Sequence, residues 1–192
     1  INVGVSKTFD NGMVISLNQN LSASAAGAEV SITSDALAIT FGDIDQNEKG
    51  IALGGNAANA DIAGDGASYA SDNAGAISLG TTVAGMSIGA AMNAAGDTLF
   101  GASMDTEVGG MAISVGGDVY SGDNSSRDQT IMSVKATMGN LVAVAHSRGD
   151  DSSTTADIMT YSAVYTAGSL TLGFQGSDAN TSVVSATYAI VP

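Results

Sequence analysis

The chain has 192 residues, of which 44% are hydrophobic and only 12% charged, with a net charge of −14 at neutral pH. That leaves too little charge to coat a water-soluble globule and too many apolar residues for a disordered chain. The acidic excess also argues against nucleic acid and anionic lipid headgroups as partners.

With no cysteine, disulfides, thiolate metal sites and a cysteine nucleophile are all excluded. No run of about 18 apolar residues is present, so no transmembrane helix is expected. The chain opens directly in a strand-like Ile1-Asn2-Val3-Gly4-Val5, without a leader; an exported protein would be present here in mature or shortened form.

In chain order, Ile1 to Phe9 sets Val3 and Val5 against Asn2, Gly4, Ser6 and Thr8. This period-two alternation predicts a half-buried strand. Asp10-Asn11-Gly12 is a turn signal, and Met13 to Ser22 follows with Ile15, Leu17 and Leu21 on one face. A loop at Ser24 to Gly27 precedes strands at Ala28 to Ser34 and Ala36 to Gly42. From Asp43 to Ala74 the chain is rich in Asp, Asn, Gly and Ala without sustained alternation, which predicts a long loop.

Gly75 to Val83 and Met86 to Met92 form a hairpin across Ala84-Gly85, and Thr98 to Val108 and Met111 to Tyr120 another across Gly109-Gly110. Gln129 to Met138 and Leu141 to Ser147 pair across Gly139-Asn140, followed by a polar loop at Arg148 to Asp157. Ile158 to Gly176 is the clearest unit. Met159, Tyr161, Ala163 and Tyr165 share one side, while Leu170, Leu172 and Phe174 share a side of the returning arm. Thr181 to Val191 closes the series of thirteen candidate strands, in which short turns alternate with longer polar loops.

The strand-turn pieces Phe9 to Leu17 (FDNGMVISL) and Ser31 to Asp45 (SITSDALAITFGDID) resemble the Gram-negative outer-membrane porins, particularly the alphaproteobacterial type. The resemblance covers nearly the whole chain. It implies an all-β, antiparallel up-and-down transmembrane β-barrel, here one domain over residues 1–192. A closed sheet suits a bilayer because every backbone polar group there must be paired, and strands of about ten alternating residues are its signature. The resemblance further implies a sixteen-stranded barrel of which this chain holds the second to fourteenth strands. It implies outer-membrane localisation, contact with membrane lipid and lipopolysaccharide, passive passage of small solutes and ions, and a homotrimer. Phe9, Phe41, Phe100, Tyr120 and Tyr165 lie near strand ends, where interfacial girdles belong.

In the family, a run similar to Leu37 to Asp43 leads into a long loop that enters the lumen and narrows it. Residues 43–74 are the counterpart, with Asp43, Asp45, Glu48 and Lys49 as constriction residues. Lys135 shares the polar face of its strand with Ser133 and Thr137, and is expected to line the pore opposite that loop. Asp43, Asp45, Asn47 and Glu48 also sketch a calcium loop, but Glu48 stands where that pattern needs glycine, so Ca2+ at the acidic loops is the weaker expectation. Lys7 shares parity with Val3 and Val5 and would snorkel to an interface.

His146 has no second histidine to join it at a metal, no G-x-S-x-G element accompanies it, and the tripeptide Arg148-Gly149-Asp150 is expected by chance in such a loop. No cofactor and no enzymatic activity are therefore expected. The rival reading is a secreted or cell-surface β-sandwich, structural or adhesive, with acidic calcium-binding loops. Its apolar faces would pack sheet on sheet.

Overall fold

The computed structural model describes residues 2–22, 25–44, 75–122, 128–151, 157–178 and 181–189. These form thirteen strands: β1 (Asn2–Thr8), β2 (Val14–Ser22), β3 (Ala25–Thr33), β4 (Leu37–Ile44), β5 (Gly75–Val83), β6 (Met86–Asn93), β7 (Thr98–Val108), β8 (Met111–Ser121), β9 (Asp128–Met138), β10 (Leu141–Asp150), β11 (Ile158–Ala167), β12 (Leu170–Ser177) and β13 (Ser182–Tyr188). They build one antiparallel sheet in strict chain order, β1 to β13. The sheet is open at β1 and β13, and the sixteen strands implied by the resemblance are not reached within it. With an odd count in up-and-down order, β1 and β13 run in the same direction.

The turn residues explain the tight end of the hairpins. Ala84-Gly85 and Gly109-Gly110 both have two positive φ angles, 53° and 80°, then 61° and 80°. This is the type I′ pattern that matches the twist of paired strands. At Gly139-Asn140 and Gly168-Ser169 only the glycine is positive, at 55° and 58°, as type II′ turns require. The last of these is a two-residue turn, because Ala167 belongs to β11.

Three expected boundaries are corrected. β3 starts at Ala25, not Ala28, because Ser22 to Gln19 pair with Ala25 to Ala28 and extend the ladder through residues whose side chains show no alternation. β4 runs through Asp43 to Ile44 across a bulge: Gly42 has φ 112°, and the register shifts between Phe41 and Ile44. The long connection is thus 45–74, which lies outside the described residues. β10 continues through Arg148, Gly149 and Asp150, which pair with Ile131, Thr130 and Gln129, so the polar stretch expected to loop out is strand.

The two faces are chemically opposite, and the burial is inverted relative to a soluble protein. One face exposes Val5, Leu17, Phe41, Met86, Phe100, Val119, Met132, Leu172 and Val184, the last at 79%. The other buries Asn93, Asp118, Gln129, Ser133, His146, Thr160, Ser162 and Gln175, each at 6% exposure or less. A contiguous apolar surface of this extent is foreign to monomers in water, where the largest patches reach about 300–600 Å². Among the described residues the rows of apolar side chains meet no second layer, which the β-sandwich reading required.

Tyr120 departs from its expected place. It lies between Leu99 and Gln129 on the polar face at 0% exposure, so it is no girdle residue. With Ala91, Leu99 and Ile131 it makes a small buried apolar cluster on that face.

Candidate functional site

The polar face is the candidate site, and strand register assembles it row by row, since directly opposed residues share a face. One row runs Ser6, Ser16, Ser31, Thr40 and Ser78 across β1 to β5. Ser31 Oγ donates to Ser16 Oγ at 3.3 Å. Further round, the same row reads Ala91, Leu99, Tyr120, Gln129 and Asp150. Along this row one half is therefore short neutral hydroxyls, and the other carries bulk and a carboxylate.

Lys135 takes the expected face. It sits between Ser114 and Val144 and is half-buried. Asp105 lies beyond Ser114 in the same row, two strand spacings or roughly 10 Å away. Beside Lys135 stand His146, which the sequence left as a lumen or loop histidine, and Arg148, which it put in a loop. His146 is opposite Ser133 and Thr160, and Arg148 is opposite Ile131 and Ile158, both on the same face. Lys135, His146 and Arg148 thus step diagonally along β9 and β10 as a basic strip. The signal was available in the parity of V-A-V-A-H-S-R, where His146 and Arg148 alternate with Ala145 and Ser147. On the strands, inward acids among the described side chains are Glu29, Asp105, Glu107, Asp118 and Asp150, with Asp97 buried in the β6–β7 turn, against the inward cations Lys135 and Arg148. Lys7, opposite Ile15, lies on the apolar face as expected.

The end of the wall carrying the longer connections is braced by carboxylates. Gln129 Nε2 donates to Asp150 Oδ2 at 2.7 Å. Ser121 Oγ donates to Asp128 Oδ1 at 2.8 Å, the Asp128 amide to Asp151 Oδ1 at 2.8 Å, and the Asp150 amide to Asp157 Oδ1 at 3.0 Å. Asp151 and Asp157 thus cap backbone amides at the ends of β9 and β10, while Asp128 and Asp150 accept from side chains. Among the described residues no group of three or more His, Asp or Glu could hold a metal ion. The backbone of Asp43 lies on β4, while Asp45, Asn47, Glu48 and Lys49 fall outside the described residues, as does the calcium pattern they sketch.

A β-sheet whose apolar side is its exposed side, and whose polar side is enclosed, is a wall between hydrocarbon and an interior of water. The solved outer-membrane-expressed OmpT of Vibrio cholerae matches it with a TM-score of 0.57 at 11% identity, over 96% of this chain and 70% of that one. The chain has the fold of an outer-membrane porin-type β-barrel. A mutant of the Rh. blastica porin aligns over 97% of this chain and 86% of its own, at 14% identity and a TM-score of 0.44. No family model and no curated protein matches the sequence. In this porin-type fold the polar rows described above are the inward wall, and Lys135, His146 and Arg148 are inward residues.

Proposed function

We propose that the chain forms a diffusion channel of the bacterial outer membrane, a porin that passes small hydrophilic solutes and ions. The observation that carries this reading is the inverted burial: Val184, Val5 and Phe100 are exposed while Ser133, Gln175 and Asp118 are buried. The apolar face meets lipid and lipopolysaccharide acyl chains, and the hydroxyl and amide rows meet water. Single-channel current in a planar bilayer tests it. Stepwise, ohmic conductance increments are expected, and a protein that inserts without conducting would refute the channel.

The channel prefers cations. The net charge of −14 and the inward acids Glu29, Asp105, Glu107, Asp118 and Asp150 support this. The reversal potential across a salt gradient carries the sign, and an anion-selective value overturns the preference. Residues 45–74, with Asp43 at the end of β4 leading into them, form the constriction, and Asp43, Asp45, Glu48 and Lys49 set its charge opposite Lys135. Its length, between adjacent strands β4 and β5, supports that role. Neutralising Asp45 and Glu48 together (Asp45→Asn, Glu48→Gln) lowers cation preference more than neutralising Asp10, which lies in the β1–β2 turn. The assembly is a homotrimer, which cross-linking in native membranes tests.

A further inference from the structure

The apolar face is not evenly covered. Between β5 and β8 it holds a groove of about 400 Å³, walled by Ile77, Leu79, Met92, Phe100 and Val119, with Ala90 as its floor. Register explains it. Ala90 stands directly between Leu79 and Phe100, so one methyl group separates two large side chains. In the next row Met92 stands between Ile77 and Thr98. At the strand ends the groove finishes at the opposed hydroxyls of Thr98 and Ser121. None of the lining residues is charged.

We propose that this groove seats one acyl chain of a membrane lipid. The inference rests on the membrane-spanning reading given above. In that setting an apolar groove gains nothing from water, which needs polar partners to be held. It is continuous with the exposed apolar band, because its walls Leu79, Met92, Phe100 and Val119 belong to that band. Its volume falls in the range of about 300–1,000 Å³ that binds small molecules. The two hydroxyls mark the end at which the ester and glycerol of the lipid lie. The lining itself is uncharged, so the groove selects for the chain; the Asp128 carboxylate, bonded by Ser121 Oγ at 2.8 Å, stands beyond its hydroxyl end. Met92 supplies a wall that adjusts to chains of different length, since a thioether side chain is unbranched and flexible.

The chain has no tryptophan, so a single introduced indole reports one position. Phe100→Trp places it in the groove wall. Val184→Trp places it on β13, in the same apolar face but outside the groove. Both are reconstituted in phosphatidylcholine vesicles containing increasing fractions of dibrominated-chain phosphatidylcholine, whose bromines quench on contact. The expected result is that Phe100→Trp is half-quenched at a severalfold lower fraction than Val184→Trp, and that adding Ala90→Phe removes the difference. Superimposable curves for the two sites would overturn the groove while leaving the membrane reading intact. Protection of Phe100→Trp alone, relieved when the assembly is dissociated, would overturn it in favour of a second copy of the chain. Absence of quenching at both sites would sink the membrane reading itself.

Discussion

Gly176 stands directly opposite Tyr161, and a Cβ added there would lie 2.6–2.9 Å from two ring carbons and the hydroxyl oxygen of Tyr161. The ring therefore lies over the glycine backbone, while its centroid is 5.9 Å from that of Phe174. Aromatic cover of a cross-strand glycine is a known device for pinning register. Gly176→Ala should displace the ring and cost about 1 kcal/mol, read as a lower denaturant midpoint in detergent. Gly42→Ala should cost more, because its Cβ would meet the backbone carbonyl of Ala28 at a φ of 112°, and backbone yields less than a ring.

Asn93 is the other residue on which local order depends. Its Oδ1 accepts from the amides of Ala95 and Asp97, both at 2.9 Å, and its Nδ2 donates to Asp97 Oδ2 at 2.7 Å. Both residues are at 2% exposure or less. Asn93→Ala should lose about 1–3 kcal/mol, with faster hydrogen exchange confined to the β6–β7 turn.

At the scale of the element, the hairpin turns differ in quality. Ala84 is the only non-glycine with positive φ among the described residues. Left-handed geometry costs an L residue roughly 1–2 kcal/mol, and glycine's greater freedom in the unfolded chain offsets part of the gain. Ala84→Gly should therefore stabilise the β5–β6 hairpin by about 0.5–1 kcal/mol, visible as a raised unfolding midpoint.

The basic strip on β9 and β10 gives a functional counterpart. Lys135→Glu leaves an inward wall with one cation fewer and one acid more, so the reversal potential should move toward the cation limit relative to the unaltered chain. An unchanged reversal potential would place Lys135 away from the ion path.

These strands were legible because alternation was sustained, with Ile158 and Val164 as apolar exceptions on the polar side of β11. I-M-T-Y-S-A-V-Y-T already separates Thr160, Ser162 and Thr166 from Tyr161 and Tyr165, and the structure keeps that division. Tyr120 was misread because nearness to a strand end was given more weight than parity. It alternates in step with Ser114 and Asp118, and that parity puts it inside. Arg148 to Asp150 looked like loop because Gly and Asp favour turns locally. Pairing with β9 overrides that preference, and no reading of β10 by itself could have seen it.

For the whole molecule, the exposed apolar face fixes the medium. At about 25 cal/mol per Å² of apolar surface, leaving it in water would cost far more than the few kcal/mol by which domains are stable. The protein should therefore stay monodisperse in detergent and aggregate on its removal, as size-exclusion chromatography can check.

The odd strand count has a further result. β1 starts and β13 starts at the end of the sheet with the longer connections, and both finish at the end with the tight turns. Asn2 and Tyr188 consequently emerge into different compartments. A cysteine at each, in a chain that otherwise has none, would react with a polymer-linked maleimide too large for a diffusion channel when it is added to opposite sides of a sealed vesicle, so one labelling experiment reads the protein's orientation.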